Sequence, residues 1–274
     1  EKKSTALIKR ILFIIWKMPS YLLQRIKGFS YSLFLLFLLG SFQKKEMDSI
    51  LIIRFRAYVH GVPLEFNKKY QNPFGETFEI TRFRFYAGKL APVYADAKFK
   101  SRISTRYHLI DFSDSASTRI ELPVNAGIIY NGIQFQMGID SADQTRGAQS
   151  GALDPARGMF WTWNSGYINV KIEGFSPIST QPSHIFEYHI GGYRENYNTV
   201  WQIKLYSTND ETFRISKPKK IMIEVAMDLD YLFDGPNPIH ISETPNCMKP
   251  GELARKISEN FIGTFTGLTI SPNP

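Results

Sequence analysis

From Ser49 onward apolar and polar side chains alternate with a period of two. Leu51, Ile53, Phe55, Ala57 and Val59 interleave with Ile52, Arg54, Arg56, Tyr58 and His60. That period predicts a half-buried strand whose odd-numbered residues face a core while Arg54, Arg56 and His60 face out. The same alternation recurs at Phe78–Tyr86, Tyr107–Asp111, Ile133–Ile139, Tyr167–Glu173, Ile185–Ile190, Val200–Tyr206 and Ile221–Leu229, with turn signals at Asn72-Pro73, Asn131-Gly132 and Gly191-Gly192. No helical periods separate these runs as parallel crossovers would require, so the expectation is an all-β chain folded as an antiparallel β-sandwich, jelly-roll-like in type. One helix is predicted near the end, over Pro250–Phe261, with Leu253, Ile257 and Phe261 on one face and an acid in the first turn. A last strand over Phe265–Ile270 follows it. No linker divides the body, so residues 44–274 are read as a single sandwich domain.

The segment before the body differs in kind. Phe29–Leu39 is an apolar run of eleven residues behind Arg25 and Lys27, well short of the roughly twenty that cross hydrocarbon as a helix. Charged-then-apolar order from Met18 fits a signal peptide, so residues 1–43 are read as a leader, with cleavage expected between Gly40 and Gln43 and residues 1–17 as surplus. The alternative is an N-terminal membrane anchor, since Leu38-Leu39-Gly40-Ser41 matches the small-x-small cleavage pattern poorly. The formal charge of +8 changes meaning once divided: residues 1–40 hold seven Lys/Arg against one acid, leaving 26 against 24 in the rest. A near-neutral body lacks the footprint of a nucleic-acid binder. With Cys247 as the one cysteine, there is no internal disulfide, and an exported domain of this size rests on core burial.

The most informative stretch begins at Asp140. Residues Asp140–Gly158 form a long polar, Gly-rich connection, and loops of this length in a domain are commonly functional or mobile. It runs into Met159-Phe160-Trp161-Thr162-Trp163-Asn164-Ser165-Gly166-Tyr167, which crowds two of four tryptophans into nine residues. Taken as residues alone, this is a Trp-x-Trp strand with both rings turned into the core.

The run Asp154–Tyr167 resembles the signature of the MbnP-like copper-binding protein family, the methanobactin-associated periplasmic proteins. Phe55–Asn67, Gly75–Tyr86 and Gly132–Asp140 resemble the family's N-terminal half. His189-Ile190-Gly191-Gly192 and Met248–Leu253 resemble its later segments, so the resemblance extends over residues 49–265. It implies an exported periplasmic or extracellular β protein that binds copper, with a tryptophan oxidised to kynurenine by a partner di-haem enzyme and histidines completing the site. The chemistry is coherent, because an indole offers only an N–H donor whereas kynurenine offers an aniline nitrogen, and imidazole suits copper. Trp161 and Trp163 are both candidates, and His189 matches a family histidine. A branch of the family carries a histidine in an Asn-His-Ala-Asp stretch where this chain reads Asp140-Ser141-Ala142-Asp143. With Ser141 in that place, a second histidine must be recruited, His60 or His240.

Other motifs add little. His60, His108, His184 and His240 show no metal-site spacing, and His184 and His189, five apart, fall on opposite strand faces. Cys247-Met248 reads as packing. There is no Gly-x-Ser-x-Gly elbow, phosphate loop or dinucleotide fingerprint, so a binding protein is expected rather than an enzyme. The contrasting reading is a metal-free envelope module whose aromatic cluster recognises a sugar or a protein.

Overall fold

A computed structural model describes residues 48–271 except 97, 99, 100, 164, 165, 209–211 and 216–219. The leader and its cleavage region lie outside the described residues. Ten longer strands carry the fold: β1 (Asp48–Val59), β2 (Thr77–Tyr94), β3 (Tyr107–Asp111), β4 (Arg119–Asn125), β5 (Ile129–Met137), β6 (Val170–Phe175), β7 (Ile185–Ile190), β8 (Trp201–Tyr206), β9 (Lys220–Asp228) and β10 (Phe265–Ser271). On β1 the period of two sets the face as expected. Leu51, Ile53, Phe55, Ala57 and Val59 are buried and Arg56 is exposed, with Ile52 additionally covered on the outer side.

The strands form an all-β sandwich. One sheet runs β10-β9-β1, with β4 and the short Val62–Pro63 strand on the other side of β1. The second runs β8-β5-β2-β6-β7, with β3 and two short strands added along β2 and β5 and Asn246–Cys247 beside β7. Most pairs are antiparallel, as the sequence predicts. β1 and β9 differ: they pair in parallel from Ile50↔Lys220 to Tyr58↔Asp228, as do β7 and Asn246–Cys247. Alternation encodes which face is buried and not strand direction. A parallel pair needs only a long crossover, and here the second sheet itself supplies it.

The two inner faces meet through aromatic rings. Phe55 of β1 packs edge-on against Phe85 of β2 at 5.4 Å and Phe135 of β5 at 5.6 Å. Three α-helices are described: α1 (Ser141–Gln144), α2 (Asp230–Phe233) and α3 (Glu252–Gly263). α3 is the predicted C-terminal helix, and it buries Ala254, Ile257 and Phe261. Phe261 reaches Phe83, Phe85 and Phe265 at 5.9, 5.8 and 5.6 Å, closing one end of the core. Among the described residues no helix is long and apolar enough to cross a membrane.

A second, smaller core sits on the opposite face of the β2 sheet. Tyr86, Ile139, Leu153, Met159, Trp161, Tyr167 and Ile168 form it, supplied chiefly by the long connection after β5. Polar side chains order that connection: Asp140 caps α1 by accepting from Asp143 N, and buried Gln144 accepts from Tyr167 N at 2.7 Å. Asn169 accepts from Ile139 N at 2.9 Å and donates to Thr199 Oγ1 at 2.8 Å. The expected loop is therefore a pinned cover over the sheet.

Phe85 touches five other rings. Phe85→Ala is expected to lower unfolding stability by about 3–5 kcal/mol, read as a shift in urea midpoint at unchanged slope. A loss below about 1 kcal/mol would show that the ring cluster is not the core's centre.

Candidate metal centre

The register of three neighbouring strands builds the site. Lys171 of β6 lies opposite Arg84 of β2 and His189 of β7, and Glu173 lies opposite Arg82 and Glu187. Because side chains alternate, these six share the outer face while Phe83, Phe85, Val170, Ile172, Tyr188 and Ile190 face the main core. A β-bulge follows at Glu173/Gly174. Only glycine fits there, since a Cβ on Gly174 would run into Glu79 O and the Phe186 ring.

The outer face is covered in part here, over Lys171 and His189, while Arg82 reaches solvent. Lys171 is 7% and His189 6% exposed. His189 Nε2 lies 2.8 Å from Glu173 Oε1, and with the carboxylate ionised that nitrogen carries the proton. Arg82 Nη1 donates to Glu173 Oε2 at 2.8 Å, and Lys171 Nζ stands 3.6 Å from Oε1. Burial pushes the Glu173 carboxyl upward, but the His189 hydrogen bond and the Lys171 and Arg82 charges outweigh it and hold the pKa at about 2. Burial lowers the Lys171 ammonium below its ordinary value against the pull of Glu173, and Arg82 adds to the lowering. Ligand atoms of His189, Glu173 and Glu187 all fall within 4.8 Å of one another. Among the described residues Glu187 has no ion pair, so its carboxylate is open.

This donor set fits a divalent cation. Two ligands at about 2.1 Å from a metal and at right angles stand about 3 Å apart, so the 2.8 Å pair of His189 and Glu173 is already near a coordination edge. One imidazole with two carboxylates is a nitrogen–oxygen set, which suits Cu(II) better than Cu(I).

The tryptophans separate. Trp161 is 5% exposed, and its Cζ3 and Cη2 lie 2.6 and 2.7 Å from where a Cβ on Gly191 would stand. Gly191 continues the His189 face two residues on, so the indole covers the row next to the histidine. Its Nε1 is buried without a hydrogen-bond partner. Trp163 is 66% exposed, its ring 5.7 Å from that of Trp161, and it rims a cavity of about 350 Å³ with Cys247, Met248 and the start of α3. The expected pair of inward rings is not formed, because the strand ends at Trp161 and Thr162 and Trp163 belong to the turn.

Neither recruited histidine reaches His189. His60 Nε2 is 2.6 Å from Gln71 O, and its Nδ1 is 3.4 Å from Asp230. His240 lies tilted against Phe74, ring centroids 4.0 Å apart, in the turn that opens β2. Gln71 pairs with Thr77, seven residues along β2 from Arg84, which lies in the His189 row. At about 3.3 Å per residue that is about 23 Å. Ser141 is the exposed first residue of α1. His184 turns to Ser179 O in a separate short turn. In place of a second histidine the structure supplies Glu173 and Glu187. Their signal was present as Lys171-x-Glu173 and Glu187-x-His189, charged residues at alternate positions of two successive strands.

Glu173→Gln is expected to cost about 3 kcal/mol at pH 7. The folded carboxyl titrates near 2 against an ordinary 4.5. Its contribution is therefore full above about pH 4.5 and lost as pH falls toward 2, so urea midpoints of variant and parent should converge over that window. A deficit that stays constant from pH 7 to 3 would contradict the assignment. Gly191→Ala should push the Trp161 indole out and shift tryptophan emission to longer wavelength; unchanged emission would mean the ring does not rest on Gly191.

Comparison with known proteins places the chain. One solved structure, MbnP from Methylosinus trichosporium, is similar with 17% identity and a TM-score of 0.48, covering 75% of this chain and 83% of that one. No curated protein matches. The family model described as MbnP matches residues 48–249, most of the sandwich and all of the cluster around His189. The chain belongs to the MbnP family.

Proposed function

We propose that this chain is an exported copper-binding protein, acting in the periplasm or outside the cell as a binder and not as an enzyme, which holds Cu(II) with His189, Glu173 and Glu187. The observation that carries this reading is the convergence of the three ligand atoms within 4.8 Å of one another on the outer face of β6 and β7, with His189 buried and the two carboxylates half-buried. His189, picked out in the sequence by its match to a family position, is one of them. Glu173 is ionised at any ordinary pH and needs no deprotonation before it ligates. Copper when bound would supply a redox-active cation, and the residues' part is to bind and orient it and to exclude water.

Trp161 is the indole proposed for oxidation to kynurenine by a partner di-haem enzyme. It lies beside the histidine row, and its unpartnered N–H is a group that an intact indole cannot turn into a ligand. Trp163, two-thirds exposed over a cavity, favours a second reading, in which the surface binds a sugar or protein without metal.

The test is Cu(II) titration of the purified protein by competition with a chelator. Saturable binding of one ion is expected, weakened at least about tenfold by His189→Ala. In protein from its native source, the peptide Gly158–Lys171 should carry kynurenine at position 161. Unchanged affinity in the variant together with an unmodified peptide would remove the copper reading and leave the surface module.

A further inference from the structure

We infer that Lys171 is a resident cation of the His189 cluster, a built-in competitor that keeps the site neutral without metal and sets its affinity low enough for the ion to be released. The inference rests on the copper reading above.

A lysine is almost never buried unless its charge is answered. Lys171 sits in the central strand of the three that form the site, 7% exposed, between Arg84 on one neighbour and His189 on the other. Its Nζ stands 3.6 Å from Glu173 Oε1, the same oxygen that His189 Nε2 contacts at 2.8 Å. The atom a metal would use is therefore already shared by an ammonium and an imidazole. Arg82 takes the other oxygen at 2.8 Å. Glu173 is thus held by two cations, and with the Glu187 carboxylate counted the two negative and two positive charges of the cluster cancel, leaving no net negative charge to draw an ion in. Arg84 does not alter this sum, since its guanidinium is paired with Asp111 at 2.7 Å.

The two cations are not equivalent. The Arg82 side chain is 46% exposed and has room to swing into water when a metal takes its oxygen. The Lys171 side chain is 9% exposed and has no such exit. A bound Cu(II) and the ammonium would remain within a few ångströms of one another, in surroundings where charge is weakly screened. Lys171 is thus the residue that determines how tightly the metal is held.

The test compares Cu(II) affinity at one fixed pH for the parent protein, Lys171→Met, Lys171→Arg and Lys171→Met with His189→Ala. Methionine keeps an unbranched apolar stem and removes the charge. Lys171→Met should bind at least about tenfold more tightly; Lys171→Arg should stay near the parent, and the double variant should lose the gain. Thermal melting supplies a second readout. Without metal Lys171→Met should melt lower than the parent, because Glu173 loses a cation, and Cu(II) should raise its melting temperature more than the parent's. Equal or weaker affinity in a folded Lys171→Met protein, or a gain shared by Lys171→Arg, would overturn the inference while leaving the copper reading in place. If neither parent nor Lys171→Met binds Cu(II), the copper reading falls and the inference falls with it.

Discussion

Everything at the candidate centre depends on one constraint, the register between β6 and its two neighbours. Val170 and Ile172 on β6, Phe83 and Phe85 on β2, and Tyr188 and Ile190 on β7 are wholly buried in the main core. A slip of one residue in β6 would turn Val170 and Ile172 outward, away from their neighbours on β2 and β7, and drive Lys171 and Glu173 into the aromatic core. Burial of several such side chains, each worth about 1.5–3 kcal/mol, therefore fixes the placement of the charged rows. His189, Glu173 and Glu187 converge because the opposite face of the same strands cannot move.

A fixed register alone would leave those rows in water, where ion pairs are worth little. The cover makes the difference. Gln144, Asn169 and Tyr167 order the segment after β5 against the sheet, and Trp161 lies over Gly191. Excluding water strengthens every charge interaction beneath and raises the cost of any unpaired one. Glu173 illustrates both effects, since burial pushes its pKa up while its three partners pull it down further and hold it ionised.

The fold was largely legible in the sequence because burial is encoded locally. Alternation in Leu51–Val59 named the core face of β1 residue by residue, and Tyr107–Asp111 and Ile185–Ile190 were delimited as they stand. β4 is harder to read, because Pro123, a residue that argues against a strand, sits in it on the exposed side with Arg119 and Glu121, although Ile120, Leu122 and Val124 alternate inward as a strand requires. Strand direction was not legible, since the β1–β9 partnership joins segments over 160 residues apart. The site was half legible. His189 could be named from its segment, whereas Glu173 and Glu187 needed the pairing of β6 with β7, which alternation does not specify. His60 and His240 had the right chemistry but lie at the far end of β2, a distance that only register reveals.

The two tryptophans show why local pattern fails where backbone changes state. In a continuous strand, residues two apart share a face, and Trp161 and Trp163 would be interchangeable. The hairpin strand stops at Trp161, so the next residues turn and the second ring swings out to 66% exposure. One indole thus becomes a buried wall beside the histidine row and the other a surface group. A 5.7 Å separation of their centroids keeps them in contact. The residue spacing that makes the segment recognisable is therefore a spacing across a boundary. Its two members answer to different constraints, the first to close packing on Gly191 and the second to the cavity at the start of α3.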